Sequence, residues 1–341
     1  MSDCKSLAPV KTRYSNLSDS ALRSMFTESS WMKLSKYEKL DVLQETVNRE
    51  ALNNGAMPCK VSFENMASNM QGCQFDDKIM LNREMFVDNQ ITYKYGDTSF
   101  KFDMEAPNYS AYEVVLHEYR HSLQQQISDG KINADSDTKA RFESNNFTVS
   151  EIDGQRASQY MLGKTGNGYD MYYLNPTELD AHKFSQEQAM ALVNEHRAQN
   201  GDDNSILSYT EKISATGYEA KLAELKEKYG ENIDKDVEQV LINKFNNTNV
   251  PVDKNVEKMV ASEMIASQQA IDNANKNEIN NISSTNAVSE NYSSTVDEFD
   301  AAQANAVDMD ATVSISTDTS ADSSVSADAG SGIDGGYSSS V

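Results

Sequence analysis

Two of the chain's four histidines, His117 and His121, stand four residues apart, and Glu118 directly follows the first. Side chains four residues apart on a helix point the same way, about 5–6 Å apart at Cβ, so two neutral imidazoles can bind one zinc ion. Glu118 is then placed to act as general base toward a water that the metal makes acidic. The alternative is a helix surface with two solvated histidines. Apolar residues 114–116 instead predict a buried helix, where unpaired histidines would be costly.

A catalytic zinc site needs a third protein ligand, and Glu178 is the best candidate. It lies 57 residues after His121, in the first turn of a helix that Asn175 and Pro176 are expected to begin. The alternative is that Glu178 only caps this helix, which would by itself explain an Asn-Pro-x-Glu sequence. With the two upstream histidines present, the ligand interpretation is favoured. One catalytic Zn²⁺ held by His117, His121 and Glu178 is predicted.

The order of these motifs resembles the gluzincin branch of the zincin metallopeptidases, in which a His-Glu-x-x-His helix precedes a helix carrying Glu-x-x-Ala. Residues 178–184, with the sequence ELDAHKF, are similar to the third-ligand helix of several bacterial families. The resemblance implies that Glu178 is a metal ligand and that Asp180 stands for a second acidic residue. His182 occupies a position where the family often has an aspartate that orients a ligand histidine. Three roles stay open for His182: an orienting group, an oxyanion donor or an alternative ligand.

Residues 116–124, LHEYRHSLQ, and residues 79–82, IMLN, also resemble small metallopeptidase-like domains of bacterial mobile elements. The resemblance implies hydrolysis of peptide bonds in a peptide or protein substrate that lies extended along the edge strand of a sheet. Two alternatives stay open: a non-catalytic zinc-binding module for interaction or regulation, and a dedicated effector protease of a mobile element. Glu118 argues against the first, because metal binding alone does not need that carboxylate.

Three further polar side chains lie near the motifs. Tyr173 precedes the Glu178 helix, where a tyrosine can donate a hydrogen bond to the oxyanion of a tetrahedral intermediate, although packing is the commoner role. Arg120 cannot bind zinc and is expected to form a structural ion pair. Its candidate partners are Glu178, Asp180, Glu113 and Asp129. His196 is expected to be a solvated helix residue.

These residues need elements that position them, and the hydrophobic pattern predicts both helices and short strands. The motif helix is predicted over 111–129, with a capping box from Ser110 to Glu113 and a stop at Gly130. The region 17–55 is also predicted to be helical, with a capping box that begins at Ser35, and another helix is predicted over 175–199. Predicted strands span 60–63, 78–81 and a hairpin over 91–102 that turns at Gly96-Asp97. The predicted fold is α+β and zincin-like: a small, mainly antiparallel sheet packed on the motif helix, with a helical C-terminal subdomain.

The composition changes near the C-terminal end. Residues 281–341 contain ten acidic residues, no Lys or Arg and few large apolar residues, so they cannot bury enough apolar surface to offset their ordering entropy. The predicted organisation is therefore an N-terminal segment at 1–34, a zincin-like domain at 35–200, a helical extension at 201–273 and a disordered acidic tail at 274–341.

The net charge of −23, from 53 acidic and 30 basic residues, disfavours nucleic acid as a partner, and no polybasic membrane patch is present. The sequence shows no secretory signal and no stretch near the ~18 apolar residues of a membrane span. A cytoplasmic location is expected, with export by a leaderless route as the alternative. Cys4, Cys59 and Cys73 are expected to be reduced thiols.

Overall fold

The computed structural model describes residues 8–68, 70–95, 98–145, 150–157 and 169–284. Its helices are α1 (Asp19–Arg23), α2 (Glu28–Trp31), α3 (Lys36–Asn53), α4 (Arg83–Phe86), α5 (Pro107–Ser128), α6 (Ser136–Asn145), α7 (Tyr169–Leu174), α8 (Pro176–Asn200), α9 (Asn204–Thr216), α10 (Tyr218–Tyr229), α11 (Ile233–Asn246) and α12 (Lys254–Ser284), with a 3-10 helix at Ser24–Phe26. Its strands are β1 (Lys60–Glu64), β2 (Gly72–Phe75), β3 (Lys78–Asn82), β4 (Gln90–Tyr95), β5 (Thr98–Asp103), β6 (Ser150–Ile152) and β7 (Gln155–Ala157). The predicted α+β class is confirmed, and helices predominate.

The main sheet has three strands in the order β1-β3-β2. β3 runs parallel to β1 and antiparallel to β2, while β4–β5 and β6–β7 are antiparallel hairpins. Three of the four described strand pairings are therefore antiparallel, as predicted, and β1–β3 is the exception. It arises because the chain passes through β2 and turns back at Asp76, whose φ is +53°, before it reaches β3. The predicted hairpin turn at Gly96-Asp97 lies outside the described residues.

The main sheet packs on α5, and a glycine makes the closest approach. A Cβ at Gly72 in β2 would lie 2.9 Å from Val114 Cγ1 and 3.1 Å from Glu118 Cγ, both on α5. A side chain at this position would force the strand away from the helix, so glycine is needed for the backbone to pass this close. Strand β2 was not predicted from the sequence.

Helix α5 begins four residues before its predicted start. Ala106 adopts a left-handed backbone conformation with φ 44° and ψ 50°, and Pro107 occupies the first helical position, where its missing N–H costs nothing. The capping box predicted at Ser110 is wrong, because Ser110 is buried within the helix. The helix ends at Ser128, and Gly130 follows with φ +68°, as the predicted stop requires.

Helices α3 and α8 begin as predicted. In α3, Ser35 and Glu38 form a complete capping box. In α8, Asn175 Oδ1 accepts a hydrogen bond of 3.1 Å from the backbone N–H of Thr177, and Pro176 occupies the first helical position. This cap fixes the first turn of α8, which carries Glu178.

The buried apolar residues form two hydrophobic cores, the first of which contains residues of both α5 and α8. The first includes Trp31 and Tyr109 and extends to Tyr209 of α9. The second lies among α7, α10, α11 and α12 and includes Leu174 and Leu241. The first core continues past residue 200, where the zincin-like domain was predicted to end, because it includes Tyr209.

Helix α12 runs to Ser284, so residues 274–284 of the predicted tail are helical. The rest of that tail lies outside the described residues, as does Cys4. Within the described ranges, no helix combines the length and the apolar character that a membrane span requires.

Candidate metal centre

Three donor atoms from two helices converge between α5 and α8. His117 Nε2 and His121 Nε2 lie 3.1 Å apart, and they lie 3.4 Å and 3.3 Å from Glu178 Oε2, respectively. A tetrahedral zinc ion with bonds of about 2.0–2.1 Å separates its ligand atoms by roughly 3.3 Å. The spacing and the set of two imidazole nitrogens and one carboxylate oxygen therefore fit a zinc ion.

The three side chains are largely buried, with 5%, 19% and 11% of the side-chain surface exposed for His117, His121 and Glu178. Glu178 Oε2 and His117 Nδ1 have no hydrogen-bond partner among the described residues. Buried polar atoms without partners raise the free energy of the folded state. A cation between the three donors would pair the carboxylate oxygen and lower that cost.

The carboxylate and the imidazoles shift each other's pKa values. Burial lowers the pKa of His121, but Glu178, then Glu118 and Gln124, raise it more, and it reaches about 9. Burial raises the pKa of Glu178, yet the two adjacent imidazoles hold it well below its ordinary value. Glu178 is therefore ionised at neutral pH, which is the form that binds a metal.

The ring of His121 is held through Nδ1, on the side opposite the nitrogen that faces Glu178. Its Nδ1 lies 3.0 Å from Gln124 Oε1, and Gln124 Nε2 donates to Asp180 Oδ2 at 2.7 Å. Arg120 holds both oxygens of Asp180, with Nε and Nη2 at 2.6 Å and 3.0 Å. Asp180 is thus the partner of Arg120, and the two residues reach the metal centre through Gln124.

His182 lies one turn after Glu178 on α8 and is fully buried. Its ring stacks on Tyr173 with centroids 4.9 Å apart and lies 4.5 Å from the ring of His117. Neither ring nitrogen has a hydrogen-bond partner in the described parts of the chain. Burial, together with His117, keeps the pKa of His182 well below its ordinary value, so the ring is neutral.

His182 also belongs to a second set of donor atoms. One ligand atom each from His117, Glu178 and His182 lies within 4.8 Å of the others. The set with His121 has shorter separations, none above 3.4 Å, and matches tetrahedral zinc more closely. Tyr173, whose ring stacks on that of His182, is part of the second core.

Glu118 lies beside the edge strand of the main sheet and is 7% exposed. The position of a Cβ on Gly72 is 3.1 Å from Glu118 Cγ, so the backbone of β2 passes directly against this side chain. In the described sheet β2 pairs with β3 on one side, and its other side is the edge. A carboxylate and a strand edge thus lie next to the residue that supplies the first donor atom, His117.

The structure brings together four of the residues singled out by sequence: His117, Glu118, His121 and Glu178. Sequence reasoning missed Gln124, although its position three residues after His121 on the same helix face is a signal that could have found it.

The solvated position predicted for His196 is wrong. His196 is 1% exposed, with Nδ1 3.0 Å from the Tyr109 hydroxyl and Nε2 3.1 Å from the Arg23 carbonyl oxygen. It therefore belongs to the first core and stands apart from the metal centre.

Comparison with protein-family models, with curated proteins and with solved structures finds no match. No family is assigned to the chain in this way, and the zincin resemblance stays a prediction from the motifs.

Proposed function

We propose that this chain is a zinc-dependent metallopeptidase with a zincin-like arrangement, in which His117, His121 and Glu178 bind one Zn²⁺ and Glu118 is the general base. The observation that carries the proposal is the triangle of donor atoms, whose sides are 3.1, 3.3 and 3.4 Å. The buried Oε2 of Glu178, which faces both imidazoles but has no hydrogen-bond partner among the described residues, supports it, because a bound cation would pair with that atom.

A zinc ion held by His117, His121 and Glu178 would supply Lewis-acid chemistry, since it would polarise a peptide carbonyl and lower the pKa of a water molecule. Glu118 accepts a proton from the attacking water and then donates it to the nitrogen that leaves, so the peptide bond is hydrolysed without net proton uptake by the enzyme. His117 and His121 must bind as neutral imidazoles. The orientation of His121 toward the site is fixed by Gln124.

A peptide or protein substrate fits the neighbourhood of Glu118. β2 is an edge strand of the described sheet, and recognition of an extended peptide by strand addition takes place at such an edge. The close approach at Gly72 puts that edge beside the proposed base. The net charge of −23 disfavours phosphate backbones, so nucleic acid is not expected as a substrate.

The proposal is tested with Glu118→Gln, which removes the base and leaves the three ligands in place. Wild type is expected to cleave members of a diverse peptide library. Glu118→Gln is expected to lose at least about 100-fold in rate, with unchanged zinc content. Glu187→Gln, which alters an exposed carboxylate on α8, is the matched control and should cleave as wild type does. Full activity in Glu118→Gln would contradict the proposed role of this residue.

A cleavage screen of one proteome separates a general peptidase from a dedicated effector protease. Many cleaved proteins indicate the former, whereas a single cleaved protein indicates the latter. Both outcomes keep the hydrolytic chemistry, because they differ in substrate recognition alone.

A non-catalytic zinc-binding module is the second candidate function, and His182 is the observation that favours it. Its fully buried ring has ligand atoms within reach of His117 and Glu178, and a fourth protein ligand would close the zinc site. Zinc bound to wild type without cleavage of any peptide would favour this candidate over the peptidase.

A further inference from the structure

The side-chain amide of Gln124 can have one orientation in this structure. Its Nε2 lies 2.9 Å from the Thr177 carbonyl oxygen and 2.7 Å from Asp180 Oδ2, and a carbonyl or carboxylate oxygen can only accept. The amide nitrogen must therefore face these two acceptors. The amide oxygen is left to face His121 Nδ1 at 3.0 Å.

This orientation determines which nitrogen of His121 carries a proton. An amide oxygen accepts and cannot donate, so His121 Nδ1 must be the N–H that bonds to Gln124. In the neutral ring the lone pair then belongs to Nε2, which is the atom 3.3 Å from Glu178 Oε2. Gln124 thus selects the tautomer of His121 that can bind a metal through Nε2.

The same amide connects the two helices that supply the donor atoms. Gln124 and His121 lie on α5, whereas Thr177 and Asp180 lie on the first turns of α8, on either side of Glu178. Gln124 is 4% exposed, so its hydrogen bonds are shielded from water. One side chain therefore orients a ligand on α5 and fixes the helical turn that carries the ligand on α8.

Arg120 and Asp180 hold Gln124 in this orientation. The guanidinium binds both carboxylate oxygens of Asp180 and packs over the ring of Phe184 at 5.1 Å. Both oxygens of Asp180 accept from this guanidinium, and Oδ2 also accepts from Gln124 Nε2. A donor at position 180 would allow the amide of Gln124 to rotate by half a turn.

We propose that Gln124 is the positioning residue of the metal centre, with Asp180 and Arg120 as the pair that sets its orientation. The proposal deepens the proposed function and rests on it for the identity of the bound ion. The hydrogen bond from His121 Nδ1–H to Gln124 does not depend on zinc, because Nδ1 carries a proton in both the neutral tautomer selected here and the imidazolium.

The test uses Gln124→Met, which keeps an unbranched buried side chain and removes both amide groups. Zinc affinity is measured by competition with a chelator, and the histidine ring protons are observed by long-range ¹H–¹⁵N correlation. We expect one zinc per chain but an affinity lower by about 10–100-fold. We also expect loss of the slowly exchanging Nδ1–H signal of His121. Gln125→Met, which alters the neighbouring exposed amide bonded to Asp129, should match wild type in both measurements.

Asp180→Asn is the second variant and replaces one of the two acceptors of Gln124 Nε2 while keeping shape. It is expected to weaken zinc binding and to reduce the protection of the His121 Nδ1–H signal, because the amide of Gln124 is held less firmly. If Gln124→Met does not fold, this variant carries the test alone. Wild-type zinc affinity and an unchanged Nδ1–H signal in a folded variant would overturn the positioning role.

The two proposals fail in different ways. In the first case, wild type binds no zinc but has a protected His121 Nδ1–H signal that disappears in Gln124→Met. This result would contradict the peptidase proposal and support the role of Gln124. In the second case, wild type binds zinc, and Gln124→Met changes neither the zinc affinity nor the Nδ1–H signal. This result would contradict the role of Gln124 alone.

Discussion

At the scale of single residues, the candidate metal centre is a group of buried polar atoms, some of which have no hydrogen-bond partner among the described residues. A bound cation would supply the missing interaction. Glu178 is ionised, and it faces two imidazoles at 3.3–3.4 Å without a hydrogen bond to its Oε2. Burying a carboxylate is costly, and without a metal the charged ring of His121, whose pKa is about 9, offsets part of that cost. Bound zinc would take over this compensation. His182 is different, because its ring is neutral and already packed on Tyr173.

The role of His182 can be tested by His182→Phe, which keeps an aromatic ring on Tyr173 and removes both nitrogens. The three shorter donor-atom separations involve His117, His121 and Glu178, so His182 is not expected to be a ligand. We therefore expect the zinc affinity of the variant, measured by competition with a chelator, to stay within about threefold of wild type. Disturbed metal sites typically lose roughly tenfold or more. An affinity loss beyond about 100-fold would make His182 a fourth ligand and support a closed, non-catalytic site.

The motif residues could be predicted because their chemistry is local. His117, Glu118 and His121 share one helix, and their spacing alone places them together. Its spacing from His121 could have pointed to Gln124, but its full role could not be assigned, since its other partners Thr177 and Asp180 lie more than 50 residues away on α8. His196 was placed wrongly for the same reason, because its partners Tyr109 and Arg23 are distant in sequence.

At the scale of elements, α5 and α8 define the centre. Helix α5 contributes His117 and His121, and α8 contributes Glu178. The start of α8 is fixed by the Asn175 cap. The helix α8 and the strands β1 and β3 were predicted nearly to their ends, because a helix cap and short apolar stretches such as those of β1 and β3 are local signals. Strand β2 was missed, since four residues that begin with a glycine give only a weak strand signal and the strand forms by pairing with β3.

Asn175→Ala tests whether the cap of α8 positions Glu178. Loss of the bonds from the Thr177 N–H and hydroxyl to Asn175 Oδ1 should lower the free energy of unfolding by about 1 kcal/mol. Because Glu178 lies in that first turn, zinc affinity should also fall, by roughly tenfold.

The matched control is Asp203→Ala, which removes an equivalent cap from α9, where Asp203 Oδ1 accepts from the Ile206 N–H at 2.8 Å. It should cost similar stability in urea unfolding and leave zinc affinity unchanged. Equal zinc affinity in both variants would show that the cap stabilises α8 without positioning its ligand.

At the scale of the whole molecule, the centre lies where α5 of the first core meets the start of α8, beside Tyr173 and Leu174 of the second core. Zinc at this point would join both helices and stabilise the folded chain by mass action. The α+β class followed from the periodicity of the sequence. The division into two cores did not, because α9 joins the first core and α7 the second through contacts that no local pattern specifies.

The most direct test of the central claim is the zinc content of the purified chain. Wild type is compared with His121→Ala, Glu178→Ala and the control Glu187→Ala on the exposed face of α8. The proposed three-ligand site predicts about one zinc per chain in wild type and control, and its loss in both ligand variants. Absence of zinc from wild type after reconstitution would contradict the metal centre, and with it the peptidase. Zinc retained in Glu178→Ala would contradict Glu178 as the third ligand.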